Sequence, residues 1–387
     1  MNMDVGYAVI NTLDGGYLIA GIANSSKAWL IKTDKDGNIV WSKSFYTESS
    51  SYSIFNDVTV SDNEYIAVGA IIVNWSALIV KYDDNGNQVW ARIFDNASRS
   101  MLYSIVAARE GGYIATGYLK LNDSQSYDIL LMKINDDGYV IWKKTYGGSG
   151  IDQGYVVIPA IDYSYIILGV TSSPETRCTW LIKVDEDGDI EWNKTYEGEG
   201  LSIIQSHDNG YIITGITSYS DLKPDVLLIK VDEDGNIIWN KTYRVTDFNR
   251  GIALIKVIGG YLILGEIGSN PYENKDVLLI KVDEDGNIIW NKTYGGPGED
   301  IGYSIALATD GGYVIVGETS SYGADGIDVL LMKVSDNGSL EWVRLYSGKK
   351  VSRIASLILD ACFNMINNYV IPITRDNKSE SIIIKNL

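Results

Sequence analysis

The sequence predicts an all-β chain: an eight-bladed β-propeller of four-stranded antiparallel blades, with one blade lacking its outer strand. Three observations carry that expectation. A lysine is followed nine residues later by a tryptophan seven times, at Lys32/Trp41, Lys81/Trp90, Lys133/Trp142, Lys183/Trp192, Lys230/Trp239, Lys281/Trp290 and Lys333/Trp342, with copies 47 to 52 residues apart. A tyrosine opens an apolar run eight times, at Tyr17, Tyr65, Tyr113, Tyr165, Tyr211, Tyr261, Tyr313 and Tyr369. Between these marks, short runs of Val, Ile, Leu and Tyr alternate with clusters of Gly, Asp, Asn and Ser, the pattern of strands and turns. A repeat near 50 residues running from end to end outweighs the length of 387 residues, which alone would allow two or three domains.

The unit from Gly302 to Tyr346 shows the elements in order. Strand A is joined to strand B by the tight Asp310-Gly311-Gly312. Strand C runs into Ser335-Asp336-Asn337-Gly338, which turns the chain into strand D. Both connections suit hairpins that need positive φ, so consecutive strands are antiparallel neighbours. The B-to-C and D-to-A connections are longer and vary between copies, the latter exemplified by the stretch from Gly295 to Asp300. A meander puts alternate connections at opposite ends, so the tight turns share one end of the ring and the variable loops the other. Strand C is apolar on both faces, as in Val277-Leu278-Leu279-Ile280, so each sheet is covered on both sides. Four-stranded sheets stacked face to face and closed into a ring make a propeller.

The strand B tyrosine and the strand C lysine each occur eight times, the last lysine being Lys385, whereas strand D with its tryptophan occurs seven times. The expected blades span approximately residues 4–46, 52–94, 100–146, 152–196, 200–243, 248–294, 300–346 and 352–387 of a single domain, 1–387. The eighth stops at the end of a strand C. Its closing strand is expected upstream of Met1 or missing, which places the seam of the ring between Met1 and Leu387.

Composition narrows the partners. A net charge of −18 repels phosphate backbones and anionic lipid, so nucleic acid is not expected. No run of 18 apolar residues is present to insert into a membrane. Cys178 and Cys362, in different repeats, form neither a disulfide framework nor a four-ligand zinc site. The chain opens without a signal peptide, which fits a cytoplasmic protein or one whose leader was trimmed. Nine Asn-x-Ser/Thr sequons, at Asn24, Asn74, Asn96, Asn122, Asn193, Asn240, Asn291, Asn337 and Asn377, tilt the expectation slightly toward the cell surface. Few glutamines and a single histidine beside many Ile, Glu and Lys suggest a thermophilic source.

The segment Gly286-Asn287-Ile288-Ile289-Trp290, preceded by Asp283, resembles the tryptophan-docking repeat of the quinoprotein dehydrogenase-like propellers, where an aspartate, a glycine and a tryptophan punctuate the same hairpin. The resemblance covers the whole chain and implies the fold. The quinone-cofactor enzymes of that group use a calcium ion held by carboxylates, often beside a vicinal disulfide. This chain has no adjacent cysteines, so no cofactor and no metal are carried over. It also resembles microbial propeller-repeat proteins with similar glycine, tyrosine and tryptophan repeats.

Most repeated residues read as architecture. Trp41, Trp90, Trp142, Trp192, Trp239, Trp290 and Trp342 are expected to anchor each blade on its neighbour, a large ring burying on the order of 200 Å². The strand C lysine stands two residues from an aspartate in Lys32/Asp34, Lys81/Asp83, Lys183/Asp185, Lys230/Asp232 and Lys281/Asp283, on one side of the strand, and is expected to pair with it or lie over the hairpin. Asp283-Glu284-Asp285-Gly286-Asn287 has too few oxygen ligands for a calcium loop and reads as a hairpin. His207, beside the Asp208-Asn209-Gly210 turn, leaves nucleophilic triads without their usual base.

The residues that point to binding lie on the variable-loop face. Asp128, Asp225, Asp276 and Asp328 precede the strand C lysine by five, and Asp4, Asp152 and Asp300 occupy the D-to-A links. Loop capping explains them. The alternative is a carboxylate-lined mouth for a cation, a sugar or a basic peptide. Tyr127, Tyr219, Tyr272, Tyr322 and Trp75 fall in B-to-C loops, outside the repeated positions, where aromatic faces stack on sugars or partner side chains. The preferred function is a non-enzymatic scaffold presenting this face to a protein or a glycan, with Tyr127, Tyr219, Tyr272, Tyr322, Trp75, Asp152 and Asp300 as the ligand-binding set. The alternative is an enzyme, a carboxylate-dependent glycan lyase or hydrolase or a quinoprotein relative. That reading requires unrepeated polar residues to converge at the channel mouth, with Arg99, Asp152, Arg250 and Asp300 as candidates.

Overall fold

The computed structural model describes residues 2–46, 52–94, 99–120, 126–172, 177–218, 223–270, 274–321 and 326–348, together with the backbone of 373–375 and 381–385. Its first four-stranded sheet is made of Val5–Asn11, Tyr17–Ala23, Lys27–Thr33 and Ile39–Ser44, each antiparallel to the next. Six more sheets of the same order follow over residues 53–94, 99–146, 153–196, 199–243, 248–294 and 300–346. Strand A of every blade packs on strand A of both neighbours, which places these strands around the axis. Strand B is buried along nearly its whole length. Apolar clusters fill each blade-to-blade seam, as where Leu262, Leu264, Val277 and Leu279 of blade six meet Ile305, Tyr313 and Ile315 of blade seven.

The tight turns explain the strict lysine-to-tryptophan interval. Asp283 Oδ1 accepts the backbone N–H of Asp285 at 3.0 Å and of Asn287 at 2.7 Å, closing the C-to-D turn locally. Gly286 completes the turn at φ +74°, and Trp239 of the preceding blade lies over it. A Cβ there would come within 2.9 Å of the indole, so glycine is required twice, by φ and by the neighbour's ring. The same contact recurs from Trp41 onto Gly86, Trp90 onto Gly138 and Trp290 onto Gly338. The strand D tyrosine adds a bond across the seam: Tyr243 Oη donates to the Gly286 carbonyl at 2.7 Å.

The strand C lysines pair differently from the expectation. Lys32 is 2% exposed and meets Asp14 at 3.0 Å and Asp84 at 2.5 Å, Lys230 meets Asp208 at 2.7 Å, and Lys183 meets Asp162 at 2.6 Å. Their partners are aspartates of the A-to-B turn and of the next blade. The aspartates two residues on are already engaged by their own turn N–H groups, as Asp34 is by Asp36 and Asn38.

The propeller has seven blades, which corrects the expected eight. Blade seven closes directly on blade one, with Val314, Val316, Val329 and Leu331 packed on Val9, Tyr17 and Ile19. Trp342 lies over Gly37, and Tyr346 Oη donates to the Gly37 carbonyl at 2.7 Å, as Trp239 and Tyr243 meet Gly286. Asn2–Met3 runs parallel to the start of strand C of blade seven, pairing Asn2 with Gly326. With all faces already covered, no gap is left for another sheet. The segment read as strand C of an eighth blade, Ser381–Lys385, instead pairs antiparallel with Leu340–Tyr346, setting Lys385 opposite Trp342 on the outer edge of blade seven. Ile373–Arg375 pairs outside it, while Tyr369 lies outside the described residues. Among the described residues no helix is long and apolar enough to cross a membrane.

Candidate functional site

Strand A carries a one-residue bulge in all seven blades, at Tyr7, Asn56, Tyr103, Tyr155, Leu201, Ile252 and Tyr303. A bulge re-aims one side chain out of the ladder. Because these strands surround the axis, their cross-blade contacts lie around the channel. Tyr7 and Tyr303 meet with ring centroids 5.4 Å apart, and Tyr103 and Tyr155 meet edge-on at 5.7 Å.

At the loop end, blades two to four supply an aromatic arc. Tyr103, Tyr118, Tyr127 and Trp75 join Met101, Ala70 and Ile54 in one cluster. Tyr118 stands 5.9 Å from Tyr103 and 5.3 Å from Tyr127, and the Lys120 ammonium lies 4.8 Å over the Tyr127 ring. Trp75 sits in the left-handed region, at φ +54°, within its B-to-C turn. Of the loop aromatics singled out in the sequence, Trp75 and Tyr127 are thus brought together. Tyr219, Tyr272 and Tyr322 lie outside the described residues.

Blades four to seven supply a charged arc. Tyr155 Oη donates to Glu199 Oε1 at 3.1 Å, and Arg177 Nη2 reaches the same oxygen at 2.9 Å. Glu199 is 4% exposed, and its Oε2 has no hydrogen-bond partner among the described residues. One blade further on, Arg250 is the cross-strand partner of Glu266, with Nη1 3.5 Å from Oε1. Lys275 lies 3.9 Å from Glu266 and 3.6 Å from Glu299. In blade seven, Tyr303 Oη donates to Glu318 Oε1 at 3.1 Å. Burial raises the Glu318 carboxyl to about 7; the Tyr303 bond opposes this, and the charges of Glu299 and Glu266 add to it. Burial, then the Glu318 charge, pushes the Tyr7 phenol up to about 12.

These charges break the repeat. Glu266 and Glu318 follow the strand B glycine, where the other blades carry Ile22, Ala70, Tyr118, Val170 and Ile216. Glu199 and Arg250 face those positions from strand A, where other blades place Val5, Ile54, Met101, Gln153 and Ile301. Sequence reasoning named Arg250 and passed over Glu199, Glu266 and Glu318; aligning the seven copies at the strand B glycine exposes all three. Of the other candidates, Arg99 is exposed at the start of its strand, and its charge acts on Tyr118. Asp152 and Asp300 are buried at blade seams beside these arcs, the Asp152 N–H donating to the Tyr127 carbonyl and the Asp300 N–H to the Lys275 carbonyl, each at 2.7 Å. Asp300 accepts bonds from Thr319, Ser321 and the N–H of Gly296. His207 stays at the tight-turn end, 5.8 Å from the Tyr261 ring.

No family model matches the chain, and no curated protein matches it. Among solved structures, the chain is similar to Kuenenia stuttgartiensis hydrazine synthase, at 11% identity and a TM-score of 0.55 over 85% of this chain and 96% of that one. It is also similar to a putative 6-phosphogluconolactonase from Bacteroides fragilis, at 12% identity and a TM-score of 0.54, covering 86% and 94% of the two chains. A puromycin hydrolase variant aligns with 99% of this chain at 11% identity and a TM-score of 0.57, and this chain spans 57% of its length. At such identities the likeness shows the fold, a β-propeller, and the fold alone.

Proposed function

We propose that the protein is a binding propeller that holds a glycan at the loop-end mouth of its channel. One observation carries this reading: the residues that break the repeat gather at this mouth, aromatic rings on one arc and buried carboxylates with cations on the other. Tyrosine and tryptophan faces stack on the C–H faces of sugar rings. Carboxylates and guanidinium groups take the hydroxyls, and a buried carboxylate oxygen without a donor, such as Glu199 Oε2, is a ready acceptor. A glycan array probed with the parent, Tyr127→Ala and Glu199→Gln tests the proposal. Retained folding with binding lost in both variants is expected. Variants that bind every glycan as the parent does would refute it, and parent binding to proteins with no glycan bound would move the ligand class.

A second reading, glycan hydrolysis, rests on Glu318. A carboxyl raised to about 7 is partly protonated at neutral pH and is poised as a general acid. Chromogenic glycosides turned over by the parent and left intact by Glu318→Gln would favour this reading over simple binding.

A further inference from the structure

Three blade seams place together a residue at the start of strand C, a residue at the start of strand A of the next blade, and the residue after the strand D tyrosine between them. Between blades five and six these are Asp225, Asn249 and Arg244. The Arg244 fork grips Asp225 at 2.6 Å through Nε and 3.1 Å through Nη2, so the single carboxylate is neutralised. Between blades six and seven they are Asp276, Asp300 and Gly295, and Asp300 is satisfied by two hydroxyls and an N–H.

Between blades three and four the positions hold Asp128, Asp152 and Gly147, and neither solution is present. Asp152 is 2% exposed and receives the Gly148 N–H on Oδ2 at 2.9 Å. Its Oδ1 and the Oδ1 of Asp128 are both buried without a hydrogen-bond partner among the described residues. A Cβ on Gly147, the counterpart of Arg244, would lie 2.4 Å from Asp128 Oδ1 and 2.8 Å from Asp152 Oδ2. The two carboxylates therefore converge on the place where the arginine stem stands in the other seam. Burial, and then the Asp152 charge, raises the Asp128 carboxyl, as an uncompensated pair should. Beside the pair opens a cleft of about 320 Å³ lined by Gly147, Gly148, Ser149, Gly150 and Cys178.

We infer that Asp128 and Asp152 bind one hard cation of the calcium class, which does at this seam what Arg244 does two seams on. Two carboxylates offer up to four oxygens, and the cleft leaves the remaining positions to solvent. No third carboxylate, histidine or thiol joins them among the described residues, which disfavours zinc. So few charged ligands correspond to an affinity on the order of 10⁻⁴–10⁻³ M, the weak end of the calcium range.

The test is calorimetric titration of the full chain with calcium chloride and magnesium chloride, paired with thermal unfolding. The parent is expected to bind one equivalent of calcium and to melt higher with it. An Asp128→Asn, Asp152→Asn double variant should lose binding at least about tenfold, removing both charges of the site. Gly147→Arg, which supplies the guanidinium internally, should lose the calcium response while melting no lower than the calcium-free parent. It remains informative if the asparagine variant does not fold. A parent that shows neither heat nor a melting shift at about 10 mM of either ion, well above that affinity range, overturns the inference. So does a double variant that binds calcium as the parent does.

Discussion

The two ends of the ring solve the same packing problem in different ways. At the tight-turn end every seam repeats a tryptophan over a turn glycine, joined from blade three onward by a tyrosine hydroxyl on the same glycine's carbonyl, where blades one and two carry Phe45 and Phe94. At the loop end neighbouring blades carry unlike residues, and carboxylates are buried with incomplete partners, Glu199 and Asp152 among them. Repetition therefore marks the contacts that hold the ring. Departures from it mark where stability has been given up, and buried, underpaired charge in a native structure accompanies function more often than folding.

The largest expected effect tests the repeated end. Trp290 lies against Gly338 and is packed into the seam between blades six and seven. Trp290→Ala should destabilise the chain by about 3 kcal/mol, the low end for a large aromatic because the ring is only partly buried. Thermal or urea unfolding measures it. A variant that unfolds with the parent would mean that the repeated indoles do not hold the ring.

At the loop end the expected signature is pH dependence. Glu318 has a folded-state value of about 7 against 4.5 for the free side chain. Between those values the folded chain holds a proton that the unfolded chain has released, so stability falls as pH rises from about 4.5 to 7 and levels off above. The loss attributable to this group is on the order of 3 kcal/mol. Glu318→Gln should match the parent at pH 4 and exceed its stability at pH 8. Unfolding curves of equal difference at both pH values would show that folding does not shift the carboxyl.

The sequence made the strands, turns and interblade tryptophans legible because each is specified locally: a glycine at positive φ, an aspartate capping its own turn, an apolar run between them. It misled on blade number for the same reason. Lys385 ends a run that matches strand C locally, yet pairing is decided by which edge is open, and the open edge is the outer strand of blade seven. The mouth was legible only in part. Trp75, Tyr127 and Arg250 stood out as loop or link residues, whereas Glu266 and Glu318 were hidden within strand B, inside runs that otherwise read as core. The lysine partners were hidden too, since Asp84 lies in the blade after Lys32 and no interval within one repeat reveals it.

The smallest effect separates repetition of a residue from repetition of its energy. Lys32 is 2% exposed and bridges Asp14 and Asp84, while Tyr65 Oη donates to Asp84 at 2.8 Å. Lys281 occupies the same place in blade six, with the Tyr313 hydroxyl at 3.3 Å as its hydrogen-bond partner. Because the aspartates facing Lys32 are half exposed, removing the ammonium leaves them solvated, and Lys32→Met should cost about 1 kcal/mol rather than the several of a fully buried pair. Lys281→Met, with no carboxylate to strand among the described residues, should cost less. Equal losses in chemical unfolding would mean that the lysines act through their buried stems, the ion pairs contributing nothing. A larger loss at Lys32 would mean that blades one and two are joined by charge as well as by packing.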